Sequence, residues 1–218
     1  MAAPPEITCT NLSGKFVMLF SDLEQNKSLS DDFDSVLALQ GVSWFTRKAI
    51  SLATIVLTIK EYTENSTYHI DITSVASGLS TTQENRTLDW AERDHADRIF
   101  GKVQGRSRLF KTGEYTMEGP GSPEDATFLR AEKLKDGQTD SRFLDNEHVQ
   151  SWVKSVDGGD WIAEQVWGFE EVKGERRYTR RVIVWKNGQE ERARLVYDYK
   201  GQAENKADED DGLAYGDE

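Results

Sequence analysis

Hydrophobic and polar residues alternate with a period of two through most of the chain, which is typical of β-strands. The clearest pair is a β-branched run at 54–62 and a strictly alternating run at 68–74, which predict a hairpin turning at 64–66. Further strands are predicted at 14–20, 80–90, 97–105, 106–111, 148–156, 161–169, 178–186 and 190–199. About nine or ten sequential strands favour an antiparallel up-and-down barrel over a sandwich.

A helical period replaces the period of two only at residues 33–48, and it predicts two short helices joined by a tight turn. Gly41 lies where a left-handed residue ends the first helix, and Ser43 is placed to cap the second. Two such short helices cannot bury their apolar residues against each other alone. We therefore expect them to lie over the mouth of the barrel, with Trp44 and Phe45 closing an apolar pocket and the basic residues in solvent.

Changes in composition divide the chain into three parts. Residues 1–11 contain two adjacent prolines and are predicted to be a flexible arm, residues 12–201 a single barrel domain, and residues 202–218 an acidic disordered tail. Within the domain, residues 112–146 are rich in charge, glycine and proline and interrupt the strand pattern. A loop of that length is expected to be functional or disordered.

The formal net charge of −12 argues against a nucleic-acid partner, because phosphates are repelled by an acidic surface. Cys9 is the only cysteine, so no internal disulfide is expected. No signal peptide and no segment of membrane-spanning length is evident, and a cytoplasmic location without a membrane span is the expectation. The sequence does not specify an oligomeric state.

Three short motifs resemble the intracellular fatty-acid-binding proteins and lipocalins, which are calycins. They are Gly14-Lys15-Phe16, then Phe33-Asp34, Gly41-Val42 and Thr46-Arg47-Lys48 at gapless spacing, and finally Thr81-Thr82-Gln83-Glu84-Asn85-Arg86. The resemblance implies an all-β fold, a calycin-like antiparallel β-barrel with a helix-turn-helix lid. It covers roughly the first 90 residues, and residues 112–146 are an insertion relative to the family pattern.

A barrel of this size has room for one small ligand between inward-facing side chains. The strand predicted at 161–169 has an aromatic face that includes Trp161 and Trp167, with Gln165 as a lone amide among the rings. If this face is internal, Gln165 is suited to orienting a ligand carbonyl or hydroxyl. The alternative is that Gln165 satisfies a buried backbone group.

The last strand carries Tyr197, which matches the tyrosine of the Arg-x-Tyr pair that holds the carboxylate in fatty-acid-binding proteins. The arginine position of that pair is Leu195 here, which argues against fatty-acid binding. Arg180 on the neighbouring strand is a candidate to replace the charge, although two adjacent arginines such as Arg180 and Arg181 are more often a solvated pair than pocket residues. The candidate catalytic residues are Gln165, Arg180 and Tyr197, and the candidate ligand-binding residues are Trp44, Phe45, Tyr68, Trp161, Trp167 and Tyr199.

Metal and nucleophile motifs are lacking in the sequence. His69, His95 and His148 are far apart, and no spacing of the zinc type occurs. Neither a Gly-x-Ser-x-Gly elbow nor a glycine-rich phosphate loop is found. No metal and no cofactor are therefore predicted.

The chain as a whole is also similar to small fungal lipocalin-like hetero-Diels–Alderases, which join a tropolone quinone methide to a humulene-type terpene. This resemblance implies a cofactor-independent cyclase, a pericyclase of fungal terpenoid or polyketide biosynthesis. Such an enzyme needs no nucleophile, because proximity and one or two hydrogen bonds to developing charge accelerate a cycloaddition. The second hypothesis is a non-catalytic intracellular carrier of a lipid. Both predict an apolar small-molecule ligand.

Overall fold

Ten antiparallel strands form one continuous sheet. The computed structural model describes residues 1–18, 29–77 and 80–202, except the side chain of Asp97. The strands are β1 (Gly14–Met18), β2 (Ile55–Glu64), β3 (Thr67–Ala76), β4 (Ser80–Thr87), β5 (Arg93–Asp97), β6 (Gly101–Lys111), β7 (Glu147–Ser155), β8 (Ile162–Val172), β9 (Glu175–Lys186) and β10 (Gln189–Tyr199). Their order in the sheet is β4-β3-β2-β1-β10-β9-β8-β7-β6-β5.

The sheet curls into a barrel because its first and last strands in sequence are neighbours. β1 pairs with β2 on one side and with β10 on the other, with Phe16 opposite Leu57 and Tyr199. The two ends of the sheet, β4 and β5, are then brought together. A hydrogen bond from the Arg86 guanidinium on β4 to the Ser107 hydroxyl on β6 (3.1 Å) spans this junction. The all-β barrel with about ten strands is confirmed.

Two local strand predictions are corrected. The runs at 97–105 and 106–111 are not two strands: residues 101–111 form one strand, β6, which continues through Gly105. A Cβ at Gly105 would lie 3.0 Å from Val153 Cγ2, so the close approach of β7 is a reason for a glycine there. β5 was missed because its sequence is almost entirely polar or charged. The predicted strand at 14–20 ends at Met18, and residues 19–20 lie outside the described residues.

The interior of the barrel has a packed end and an open end. At the packed end, aromatic rings fill the space between the strands. The N-terminal segment, for which the sequence predicts a flexible arm, packs here: Ile7 and Cys9 are buried, and the Ala3 N–H donates to the Arg176 carbonyl (2.7 Å). Apolar side chains in a proline-rich segment thus close one end of the barrel.

The helix-turn-helix lid is present at the other end, as α1 (Asp34–Leu39) and α2 (Trp44–Leu52). The Ser43 hydroxyl accepts from the Thr46 N–H (3.2 Å), and Gly41 has a φ of +84°, both as expected from the sequence. The orientation of α2 differs from the prediction. Arg47 faces the protein, where it donates to Asp34 (3.0 Å) and to the Val42 carbonyl (2.9 Å).

The two aromatic residues at the start of α2 are exposed. Trp44 is 55% exposed and Phe45 is 79% exposed, so the expectation that they close an apolar pocket is not met. Ile50 is the residue of α2 that is buried. The lid is therefore held by an ion pair and by aliphatic contacts, and its aromatic pair lies on the surface.

Residues 112–146 cover the outer face of the barrel and contain a third helix, α3 (Pro123–Leu129). Ser122 and Asp125 form a reciprocal capping box at its start. Phe128 and Leu129 of α3 pack against the outward residues of β8 and β9, among them Ile183. Both faces of β8 and β9 are consequently buried, one by the barrel interior and one by this segment.

Candidate functional site

A cavity of about 360 Å³ lies at the open end of the barrel, beneath the lid. Its lining comes from α1, from the sheet ends β4 and β5, and from the inner faces of β6 to β9. The residues that line it are Gln40, Glu84, Asn85, Arg86, Thr87, Ala91, Arg93, Asp94, His95, Phe100, Val103, Gly105, Arg106, Ser107, Val153, Trp161, Ala163, Gln165 and Val182. The volume suits a small organic molecule.

One wall of the cavity is apolar. Val103, Ala163 and Val182 belong to a buried cluster under the lid, and the rings of Phe100 and Trp161 meet edge to face with centroids 6.2 Å apart. Alternation along β6, β8 and β9 places these side chains inward. A hydrocarbon portion of a ligand would lie against this wall without leaving polar groups unpaired.

A half-buried ion pair forms a polar wall of the cavity. Arg86 donates from Nε and Nη2 to Glu84 Oε2 (3.1 and 2.6 Å), and from Nη1 to the hydroxyls of Ser107 (3.1 Å) and Ser151 (2.7 Å). Burial by itself raises the pKa of Glu84, but the charges of Arg86 and Arg180 outweigh it and hold the pKa below its ordinary value. Glu84 is therefore an ionised carboxylate fixed at the cavity surface.

Gln165 lines the cavity. The indole Nε1 of Trp167 donates to Gln165 Oε1 (2.9 Å), which fixes the orientation of the amide, because an N–H donor requires the oxygen there. No described residue accepts a hydrogen bond from the Gln165 amide nitrogen. A neutral donor with a fixed orientation is thus part of the cavity lining.

Trp167 is in contact with two guanidinium groups. The Cζ atom of Arg86 is 5.2 Å and that of Arg180 is 4.0 Å from its ring centroid, distances at which a cation is attracted by the indole ring. Arg180 is 6% exposed and donates from Nε to the Tyr178 hydroxyl (3.0 Å). Its Nη2 is buried without a hydrogen-bond partner among the described residues.

The structure brings together part of the predicted site. Trp161 and Gln165 line the cavity, and Trp167 and Arg180 form the layer directly beneath it. Tyr197 is buried one layer deeper, with its ring 5.7 Å from the Arg180 Cζ. The expectation that Arg180 and Arg181 form a solvated pair is wrong, since both side chains are buried.

The remaining candidates lie away from the cavity. Tyr199 packs on Phe16 at the packed end, with ring centroids 5.3 Å apart. Tyr68 is opposite Thr63, beside the β2–β3 hairpin turn. Trp44 and Phe45 are on the outer side of the lid. None of these four residues contributes to the lining.

Glu84 and Arg86 were missed as site residues, although the sequence held a signal for them. They are two positions apart on a strand, so both side chains share one face of β4. An acid and a base on the same face of a barrel strand are compatible with an internal ion pair. Ser107 and Ser151 had no such signal, because serine is ordinary on either face of a strand.

Among the residues that the structure describes, no group of three or more His, Cys, Asp and Glu side chains is arranged to hold a metal ion. In the same part of the chain, no helix has the length and apolar character needed to cross a membrane.

The chain resembles two fungal pericyclases over nearly its whole length. The probable pericyclase scpY of Mollisia scopiformis is 25% identical over 203 residues, which are 92% of this chain and 95% of the relative. The pericyclase pydY of an Acremonium species is 26% identical over 204 residues, which are 92% of this chain and 98% of the relative. No family model matches the sequence.

Solved structures establish the fold. Fatty-acid-binding protein 1 of Echinococcus granulosus superposes with a TM-score of 0.50, covering 86% of this chain and 96% of that protein at 14% identity. The fold is calycin-like. Both resemblances expected from the sequence, to fatty-acid-binding proteins and to fungal pericyclases, are therefore confirmed as resemblances of this chain.

Proposed function

We propose that this protein is a pericyclase that binds an unsaturated, largely apolar molecule in the cavity and accelerates its cycloaddition. The relatives named pericyclases match 92% of the chain. The observation that carries the proposal is the cavity itself, where an apolar wall faces a fixed, unengaged amide donor on Gln165.

The finer proposal is a hetero-Diels–Alder reaction, in which a diene containing a heteroatom and an alkene form a six-membered ring. Two σ bonds form while π bonds are consumed, and no proton or electron leaves the reacting pair. The reaction therefore requires no nucleophile and no cofactor from the protein. Confining both partners in one cavity removes much of the entropic cost of their encounter.

Hydrogen bonding supplies the electrostatic part of the mechanism. Charge develops on the oxygen of a heterodiene as the bonds form, and a pre-positioned donor stabilises this charge more than it stabilises the reactants. Gln165 is the proposed donor. Arg180, with Tyr197 beneath it, adds a positive field from behind Trp167.

The second candidate function is a non-catalytic carrier of an apolar molecule. It is favoured by the fold, which is shared with a fatty-acid-binding protein. A carrier would use the same wall formed by Phe100, Val103 and Trp161, but it would bind product and substrate without changing the rate.

The experiment that separates the two is a cycloaddition assay with a quinone methide generated in situ and humulene. A pericyclase increases the rate or changes the stereochemical ratio of the adducts, and filling the cavity by Ala163→Trp abolishes this effect. If the protein binds the adduct but changes neither the rate nor the stereochemical ratio, the carrier function is supported. If it accelerates an intramolecular cycloaddition of a polyene but not the reaction of this pair, the pericyclase function is retained and the hetero-Diels–Alder reaction is rejected.

A further inference from the structure

The barrel has one junction without backbone pairing. β4 and β5 are the two ends of the sheet, and in the described ranges no strand pairing joins them. We call this junction the seam. The cavity extends to it, and six lining residues come from its two sides: Asn85, Thr87, Ala91, Arg93, Asp94 and His95.

From inside the barrel, the seam is closed by Arg86. This residue lies on β4 and donates to Ser107 on β6 and to Ser151 on β7, so its side chain crosses the junction. The contact consists of two hydrogen bonds to hydroxyl groups.

From outside, the seam is closed by Trp90, which follows β4 and has a φ of +63°. Its N–H donates to the Ser107 carbonyl (2.9 Å), and its ring centroid lies 4.5 Å from the Arg106 Cζ and 4.2 Å from the Arg108 Cζ. Glu118 pairs with both arginines (3.0 and 3.6 Å). We call Trp90, Arg106 and Arg108 the clasp.

The lid is more strongly closed than the seam. Leu37, Val42 and Ile50 of the lid are buried in an apolar cluster of their own, and Arg47 pairs with Asp34. Lifting the lid would expose this cluster to water. Parting the seam breaks a few polar contacts next to β5, where residues 93–96 are exposed. Local opening takes place where the fewest buried apolar contacts are lost.

We propose that the seam is the access route to the cavity and that the clasp is its gate. The inference rests on the proposed function only in taking the cavity as the ligand site. Ligand passage requires Trp90 to leave its position between the two arginines, while the lid stays in place.

A reversible covalent staple tests the gate directly. Asp89 and Arg108 are antiparallel bridge partners, a geometry compatible with a disulfide, and neither lines the cavity. Asp89→Cys with Arg108→Cys is prepared in the full chain, and association of 1-anilinonaphthalene-8-sulfonate is followed by stopped-flow fluorescence. Signal that persists in Ala163→Trp, which fills the cavity, is subtracted as binding elsewhere.

We expect oxidation of the staple to slow association of the probe by about tenfold or more, and a reducing agent to restore it, with the equilibrium Kd within about threefold. Association that is unchanged after complete oxidation would overturn the inference. The buried thiol of Cys9 is not expected to interfere.

A second variant removes the gate without a cross-link. Trp90→Ala should speed both association and dissociation of the probe while leaving Kd nearly unchanged, and the matched lid variant Trp44→Ala should change neither rate. Faster exchange in the lid variant alone would overturn the inference. Exchange of the probe involves no reaction, so the two proposals fail separately. If the staple slows exchange but the protein has no cycloaddition activity, the proposed function is rejected and the seam is retained. If the protein is active but the staple has no effect, the seam is rejected and the proposed function is retained.

Discussion

Two consecutive arginines on β9 have opposite surroundings. Arg181 points outward beneath residues 112–146, is fully buried, and uses all five of its N–H donors: Nε and Nη2 bind Glu170 (2.9 and 2.7 Å), Nη2 also binds Ser141, and Nη1 binds the carbonyls of Phe128 and Lys133. Arg180 points inward, and its Nη2 is buried without a partner among the described residues.

The difference lies in what each charge does for the folded state. A buried cation with every donor satisfied holds the segments around it in place, and here Arg181 joins α3 and the following loop to the barrel. A buried cation with an unpaired nitrogen costs stability. Arg180 carries that cost, and its proposed role is to stabilise charge on the bound substrate during the reaction.

The largest expected effect is a loss of stability when Arg181, the paired arginine, is replaced. Arg181→Met leaves the Glu170 carboxylate buried without its main partner, and we expect a loss of about 3–5 kcal/mol in the free energy of unfolding, measured with urea. The double variant Arg181→Met with Glu170→Gln should recover part of this loss. A loss in Arg181→Met no larger than that in Arg180→Met would remove the distinction between the two arginines.

The same pair predicts an acid-dependent loss of stability. Burial alone raises the pKa of Glu170, but Arg181 and Arg194 outweigh it and lower the pKa from 4.5 to about 2. A depressed carboxyl pKa contributes stability that is complete above about pH 4.5 and is lost as the pH falls towards 2, amounting to about 3 kcal/mol. Urea unfolding at pH 5, 4 and 3 measures it. The decline should be shallower in the Arg181→Met, Glu170→Gln double variant.

The unpaired arginine should respond in the opposite way. Arg180→Met replaces a partly unsatisfied buried cation by an apolar side chain of similar length, so the free energy of unfolding should change by less than about 1 kcal/mol or increase. In contrast, kcat/KM for cycloaddition should fall about 10- to 100-fold, equivalent to about 1.4–2.8 kcal/mol. A large loss of stability with unchanged activity would make Arg180 structural, like its neighbour.

A smaller effect is expected at the neutral donor. Gln165→Met keeps the length of the side chain but removes the amide, and kcat/KM should fall about tenfold, which corresponds to about 1.4 kcal/mol. Loss of the acceptor for Trp167 Nε1 contributes to a modest drop in stability, so Tm is measured alongside. Weaker binding with an unchanged kcat would show that Gln165 only holds the substrate.

The smallest effect is expected on the lid. Trp44→Ser and Phe45→Ser alter side chains that are largely in solvent, so each should change the free energy of unfolding by no more than about 0.5 kcal/mol and leave kcat/KM unchanged. A loss of activity in either variant, with stability retained, would place these rings near the substrate after all.

The fold was largely predictable because strands and turns leave local patterns. Residues 187–188 illustrate this: Asn187 and Gly188 both have positive φ, as an Asn-Gly hairpin turn requires, and β9 and β10 pair on either side of them. β5 was not predictable in this way, because a strand at the end of the sheet with polar residues on both faces carries no period of two in hydrophobicity.

The candidate site was predictable only in part. Gln165 and Trp161 were found because their strand has a conspicuous aromatic face, and that face is internal. Trp44 and Phe45 were misplaced, because an amphipathic pattern shows that a helix has two faces without showing which one is buried when both carry apolar residues. In the structure, Arg47 pairs with Asp34 and Ile50 is the side chain of α2 that is buried.

The sequence by itself determined most of the strands, the Asn-Gly turn and the two helices of the lid, since these follow from periodicity and capping within a few residues. Only the tertiary structure decided the roles of the charged side chains. Arg180 and Arg181 are adjacent and identical, and alternation alone sends them to opposite faces. Arg181 binds Glu170 and Ser141, which are 11 and 40 residues away along the chain. These partners come within hydrogen-bond distance only when the barrel has folded.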